Sequence, residues 1–572
     1  MRSASIFAAL SLAIASLALA QTNPMVSPEI DLEKPFCYYS RPTDQLGTMD
    51  APKGFMVTAE GYLYNRAAEL MFMFGPKLEL VQNRNRYLED NIYPVVNYTM
   101  EKTGIRYSFK MFAFNLERGV PRSPLYAFTK VTMENISNSD GVAYIASGLR
   151  HKGLTPRVEA SRNYAFQRES TYELRGDAVL RNDEILAVVP QDPSRKISAT
   201  IDHPYEGTFK GSQYAVTETT PVCIADYSID LKPGESRSLV FLMPNAPTNW
   251  AAVGTMLNLM KDPEAFDRKL TEVKEDWDKL LMRAVDLKIP EEKVQATFWT
   301  SLINMAIARD DEGNGYYSQG VNEMQYTGFF PRDSMYFSWS WLFAGFPEEG
   351  KKVATYYEKT QHDDGRFFND QENIGPYAIL MWYYKTKDRE YLDRMWPRLV
   401  KNFNYVTNVI ANDPLKLMPA MGPYDNEGIT GHYTAHNFYN AKAFEMMASC
   451  AKERGEEEES KKYRAYADNF ISNMMYHVNV AIATNGFIPP GIDTGKSGAH
   501  WGNMEASYPT FIERWTCRNT SLGSRARMTE SLKTMEPKIS VTLFIAVPRS
   551  LSMINRRKRR APAGRWYGDY MV

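Results

Sequence analysis

Cysteine is scarce: Cys37, Cys223, Cys450 and Cys517 are the only four in 572 residues. That excludes a disulfide scaffold, and their spacing matches no zinc ribbon. Cys37 and Cys223 either pair or remain free, buried thiols. Net charge is nearly absent too, −1 overall, so the whole chain carries no nucleic-acid footprint. Beyond the first twenty residues no apolar run is long enough to cross a bilayer, which argues against a membrane span. Within those twenty, the charge-free run Ile6–Leu19 follows Met1-Arg2 and ends in Ala18-Leu19-Ala20. This is the pattern of a signal peptide cut before Gln21, and it predicts export to the periplasm or the extracellular space. No cysteine follows the cut, which argues against a lipid anchor there.

What is present is an ordinary globular balance, 44% hydrophobic and 24% charged, with 13% aromatic residues. The length requires at least two domains. From about 25 to 261 the pattern is that of strands. Ile105, Tyr107, Phe109, Met111 and Ala113 alternate with Arg106, Ser108 and Lys110, the period of a half-buried strand. Leu125–Met133 is a second strand, ending in the turn cluster Asn135–Gly141. Tyr227–Leu231 and Arg237–Met243 flank the turn Pro233–Ser236. Many strands with no helical period between them predict an antiparallel β-sandwich.

The period changes at Asp262-Pro263-Glu264, where Asp262 suits an N-cap and Pro263 a first helical position. A linker helix is expected over 262–288. Pro290, followed by Glu291 and Glu292, suits the start of another helix. Helical stretches follow over 333–345, 347–360, 374–386, 389–411, 432–455 and 457–478, joined by short Gly/Pro/Asp-rich loops, with no comparable strand signal between them. Residues 289–512 thus predict stacked helical hairpins. After about Ile512 the period fades. Cys517–Val572 holds twelve Lys/Arg against three Asp/Glu, including Arg556-Arg557-Lys558-Arg559-Arg560. A solvated tail, an anion-binding arm and a shifted reading frame all fit 513–572; the abrupt change favours the last.

The most informative stretch is Tyr326-Thr327-Gly328-Phe329-Phe330-Pro331-Arg332-Asp333-Ser334, which runs on to Trp339 and Gly345-Phe346-Pro347-Glu348-Glu349. An aspartate accepts from two adjacent hydroxyls and an arginine offers a rigid fork of donors, which together suit a sugar. The structural alternative is an ion pair at a helix start. The stretch resembles the aromatic-x-Arg-Asp segment of glucoamylase-like, six-hairpin glycosidases. That resemblance implies an N-terminal β-sandwich followed by an (α/α)6 toroid, here incomplete or altered at its C-terminal end. It also implies that Arg332 and Asp333 grip the sugar beside the scissile bond. Tyr326, Phe330, Trp339 and Trp501 become candidate cleft walls.

Glycoside hydrolysis needs one protonated carboxyl and a second carboxylate. Gly422–His432 holds Asp425 and Glu427 between two helices. By its position before Gly431, Glu427 resembles the family's general acid, with Asp425 as a sugar contact, although Asn426 stands where the family has a tryptophan. Loop solvation and helix capping would explain both carboxylates equally well. The family's base comes from late in the toroid, where Glu505 is the last carboxylate in context, as base or sugar contact. The resemblance therefore implies an inverting hydrolase of an oligosaccharide or polysaccharide, with no metal or organic cofactor. A non-catalytic sugar binder on the same fold, and a polysaccharide lyase centred on His432 and Tyr433, are the alternatives. Oligomeric state is left open.

Two motifs mislead. Pro490–Ser497 resembles a phosphate-binding loop, but its first glycine is one residue too close. His432 and His436, four apart, suit a metal, but no third ligand is evident.

Overall fold

The computed structural model describes residues 44–510, apart from 52, 59, 81–85, 121, 151–166, 215, 217–219, 324–327, 368–372, 425–428, 495–504 and 506–508. The expected signal peptide and the basic tail lie outside the described residues.

Two nine-stranded antiparallel sheets form the first half, among the described residues. The strands that matter most are β1 (Tyr93–Lys102), β2 (Ile105–Asn115), β3 (Leu125–Asn135), β4 (Gly141–Arg150), β5 (Val222–Leu231) and β6 (Ser236–Pro244). In one sheet β2 pairs along its length with β3, from Ile105 opposite Asn135 to Asn115 opposite Leu125. β1 and β6 flank this pair. In the other sheet β4 pairs with β5 and with Glu69–Phe74. The alternation in β2 has a direct cause. Ile105, Tyr107, Phe109 and Met111 point between the sheets, whereas Phe112 and Phe114 point outward into a second core shared with helices. A strand buried on both faces at one end loses its polar residues there.

That second core joins the sandwich to α1 (Val253–Lys261), α2 (Ala265–Leu281) and α3 (Glu292–Ile307). The linker helix expected over 262–288 is α2, and α1 precedes it within the stretch expected to hold strands. Asp262 terminates α1, and its carboxylate accepts from the Glu264 N–H (2.9 Å) ahead of α2. Pro290 precedes α3, which begins two residues later.

The helical layers continue with α4 (Pro331–Phe343), α5 (Pro347–Thr355), α6 (Ile374–Thr386), α7 (Arg389–Asn412), α8 (Thr434–Glu453) and α9 (Glu457–Asn485). α4 packs on α6 and α6 on α8, forming an inner row, while α9 packs on α8. α8 buries fifteen of its twenty residues, as an inner helix must. Seven helices from α3 onward lie among the described residues, where a closed toroid needs twelve. Two hairpins interrupt the helices, contrary to the uninterrupted helical pattern expected: β7 (Arg309–Gly313) with β8 (Tyr316–Gln319), and β9 (Met421–Tyr424) with β10 (Ile429–Gly431). The first turns through Gly313, Asn314 and Gly315, all at positive φ. No helix among the described residues is long and apolar enough to cross a membrane. Cys223 and Cys450 are free, buried thiols.

Candidate active site

Contacts between the first turns of α4, α6 and α8 bring their starts together, and among the described candidates Arg332 and Asp333 lie there. Pro331 sits in the first turn of α4, where its missing N–H costs nothing. Arg332 and Asp333 follow it, both half-buried. Asp333 lies at the positive end of the helix dipole, which favours its charge. His436, in the first turns of α8, faces this group. It is 1% exposed, and burial, reinforced by the Arg332 charge, holds its pKa well below the usual range. The neutral form of the imidazole is therefore favoured near the guanidinium. Tyr433 packs on His436 at 4.4 Å between ring centroids.

α6 joins the same end through amides. The Asn373 side chain, just before α6, donates to Asn440 Oδ1 on α8 (2.5 Å) and accepts from Asn402 Nδ2 on α7 (2.7 Å). Tyr377 in the first turn of α6 packs at a tilt against Tyr439, 5.3 Å between ring centroids, and its hydroxyl donates to the Pro509 carbonyl (2.8 Å). That bond brings Pro509 to the start of α6. Glu505 is 6% exposed, and its carbonyl accepts from Thr510.

The other residues singled out by sequence fall in different places. Phe330 caps the start of α4 in extended conformation and is half-buried. Trp339 is buried in the helical core, edge-on to Tyr336 at 5.5 Å, with the Lys385 ammonium 4.5 Å from its ring. Its burial gives it a packing role. Tyr326, Asp425, Glu427 and Trp501 lie outside the described residues. β9 and β10, which flank Asp425 and Glu427 in sequence, pair through Tyr424 with Ile429 and Met421 with Gly431.

The supposed histidine pair does not converge. His432 precedes α8 instead of lying on it. Its Nδ1 is 2.7 Å from Asp493 Oδ2 and its Nε2 3.0 Å from Asp413 Oδ2. No cluster able to hold a metal occurs among the described residues. Asp413 and Asp493 escaped the sequence reading. Asp413 looked like an ordinary helix end, and Asp493 sat inside the phosphate-loop lookalike.

No protein-family model matches the sequence, and no curated protein matches it. Solved structures do. A bacterial glucoamylase, determined in complex with acarbose, is 12% identical, with a TM-score of 0.51. The match covers 76% of this chain and 70% of that one. A human-microbiome protein assigned as a kojibiose phosphorylase is 9% identical over 77% of this chain and 58% of its own, with a TM-score of 0.38. The first likeness, with the sheets and helices above, shows the fold: an N-terminal antiparallel β-sandwich and a glucoamylase-like helical region.

Proposed function

We propose that the chain is carbohydrate-active, and more narrowly that it is an inverting glycoside hydrolase of an oligosaccharide or polysaccharide. One observation carries the reading: Arg332 and Asp333 occupy the first turn of α4, and the Arg332 charge acts on the buried His436 near the start of α8. A rigid fork of donors and a carboxylate on the same helical turn suit vicinal hydroxyls. In this reading Glu427 protonates the leaving oxygen. A second carboxylate, with Glu505 as the candidate, activates water from the opposite face. The two carboxyls are then about 6.5–9.5 Å apart.

The non-catalytic alternative draws on Asn426, which replaces the tryptophan next to the expected acid. The lyase reading loses His432 as its base, because carboxylates engage both of its ring nitrogens, and is left with Tyr433. Incubation with a panel of α- and β-linked glycans separates these readings. A hydrolase releases reducing ends, with the anomeric configuration inverted in the first NMR spectra. A lyase raises ultraviolet absorbance from a new double bond, and a binder does neither. Glu427→Gln is expected to lose hydrolysis by about 10²–10⁴-fold while retaining glycan affinity. Normal turnover in that variant would remove Glu427 as the acid.

A further inference from the structure

The chain entering α8 is zipped to the chain leaving α9. The Thr434 N–H donates to the Pro490 carbonyl (2.7 Å) and the Ile492 N–H to the His432 carbonyl (2.9 Å). The Thr494 hydroxyl donates to the Thr430 carbonyl (3.0 Å). At the centre lies His432, 5% exposed, between Asp413 at the end of α7 and Asp493 beyond α9. A neutral imidazole has one N–H donor, yet carboxylate oxygens meet both of its ring nitrogens. Both contacts are satisfied at once when the ring is doubly protonated. The carboxylates are held independently. Asp413 Oδ1 accepts from the Leu415 and Leu417 N–H groups (2.9 and 3.3 Å), and Asp493 Oδ1 accepts from the His432 N–H (2.8 Å). Gly431, at φ +79°, leaves room for this approach, since a Cβ there would collide with Asp493 Oδ1.

We propose that His432 is a positioning residue: with Asp413 and Asp493 it forms a clasp that holds β10 and the entry to α8 against the segment after α9. The consequence for turnover rests on the glycosidase reading above; the clasp does not. Among the described residues, the charged groups that act on His432 are these two aspartates. Burial pushes the His432 pKa down, but hydrogen bonds and charge from Asp413 and Asp493 outweigh it and hold it above the ordinary 6.5. For Asp493, burial pushes up, and its bonds to His432 hold the pKa below the ordinary 3.8. The histidine term is therefore full below its unfolded pKa and fades as pH rises through the higher folded value. The aspartate term is full above its unfolded pKa and fades as pH falls through the lower folded one. The clasp is closed between these limits and opens on the alkaline side.

Hydrogen exchange of the full chain reads this directly. At neutral pH, His432→Gln and Asp493→Asn should each speed exchange in the 421–434 peptide by about tenfold or more, as expected for lost charge-assisted bonds. Exchange in the 457–475 part of α9 should stay unchanged, which separates clasp opening from misfolding. Wild-type protection at 421–434, corrected for intrinsic rates, should fall above neutrality, and that fall should be missing in His432→Gln. Equal protection in wild type and both variants would overturn the clasp. If glycan hydrolysis is found, Asp493→Asn should move the alkaline limb of kcat to lower pH and leave KM within about twofold. An unmoved limb would overturn the positioning role and leave the hydrolase reading intact. Absence of hydrolysis would sink that reading, while exchange still decides the clasp.

Discussion

Lys385, near the end of α6, shows how a single side chain reports its surroundings. Its ammonium lies 4.5 Å from the ring centre of Trp339 and 5.0 Å from that of Phe343. Burial pushes its pKa from 10.5 down to about 8. The attraction of the two rings, about 0.5–1 kcal/mol at exposed sites, offsets part of a penalty worth about 1.4 kcal/mol per pKa unit. A lysine whose folded pKa is depressed loses protons on folding, so this term destabilises at neutral pH and relaxes as pH rises toward the unfolded value. Lys385→Met keeps the apolar stem and drops the charge. It is expected to raise the melting midpoint at neutral pH, with the gain shrinking toward about pH 10. A gain that does not depend on pH would assign the effect to packing. The Pro331-Arg332-Asp333 run made the start of α4 legible in sequence, because a proline at the first helical position and an acidic residue in the first turn both suit a helix N-terminus. The burial of Trp339 was not legible, since an aromatic on a helix reads the same whether it lines a cleft or fills a core.

Among elements, the inner helices are joined by polar contacts more specific than their apolar faces. Asn402 on α7 donates to Asn373 and to the Gly365 carbonyl (3.0 Å). Asn373 holds a left-handed conformation, φ 50°, and bridges to Asn440. These amides are buried to within 2% of full exclusion. Removing one partner strands the others, at about 1–3 kcal/mol for each polar group left unsatisfied. Asn402→Leu should therefore lower stability by a few kcal/mol in denaturant titration, even though leucine favours a helix interior more than asparagine does. A change of less than about 0.5 kcal/mol would show that water replaces the amide. The helices themselves were readable from apolar spacing, within two or three residues at most ends. α9 runs on to Asn485, past the expected 478, because Gly486 at positive φ is what stops it. The two hairpins were hidden. Asp310-Asp311-Glu312 has no strand propensity, and its pairing with β8 is held from outside by Lys53–Asp310 and Arg309–Asp50 contacts. The His432 clasp was hidden for a related reason: its carboxylates lie 19 and 61 residues away in sequence.

At the scale of the whole molecule, the sandwich and the helices share a core. Phe112, Phe114 and Phe128 from the sheet pack in one cluster with Phe266, Trp277, Phe298 and Trp341 from the helices. Ion pairs seal the seam: Lys53 with Asp310, Arg66 with Glu323, and Arg309 with Asp50 and Glu349. Arg309 is fully buried, bonded at 2.6 Å to Asp50, in the turn between the strands Asp44–Leu46 and Phe55–Val57, and at 2.7 Å to Glu349 on α5, with Trp341 beneath its guanidinium. Breaking a buried pair from one side costs about 3–5 kcal/mol; Lys352, 2.9 Å from Glu349 and 3.6 Å from Asp50, stays with both carboxylates and sets the loss at the lower end of that range. Arg309→Met is accordingly expected to destabilise by that amount. Where the loss is felt depends on coupling. If the shared core makes sandwich and helices one cooperative unit, hydrogen exchange through global opening should accelerate equally in peptides from β2–β3 and from α8. If acceleration is confined to α8, the seam is a contact between two independently stable parts. The continuity of aromatic packing from Phe112 to Trp341 argues for the first outcome, since neither half buries that surface without the other.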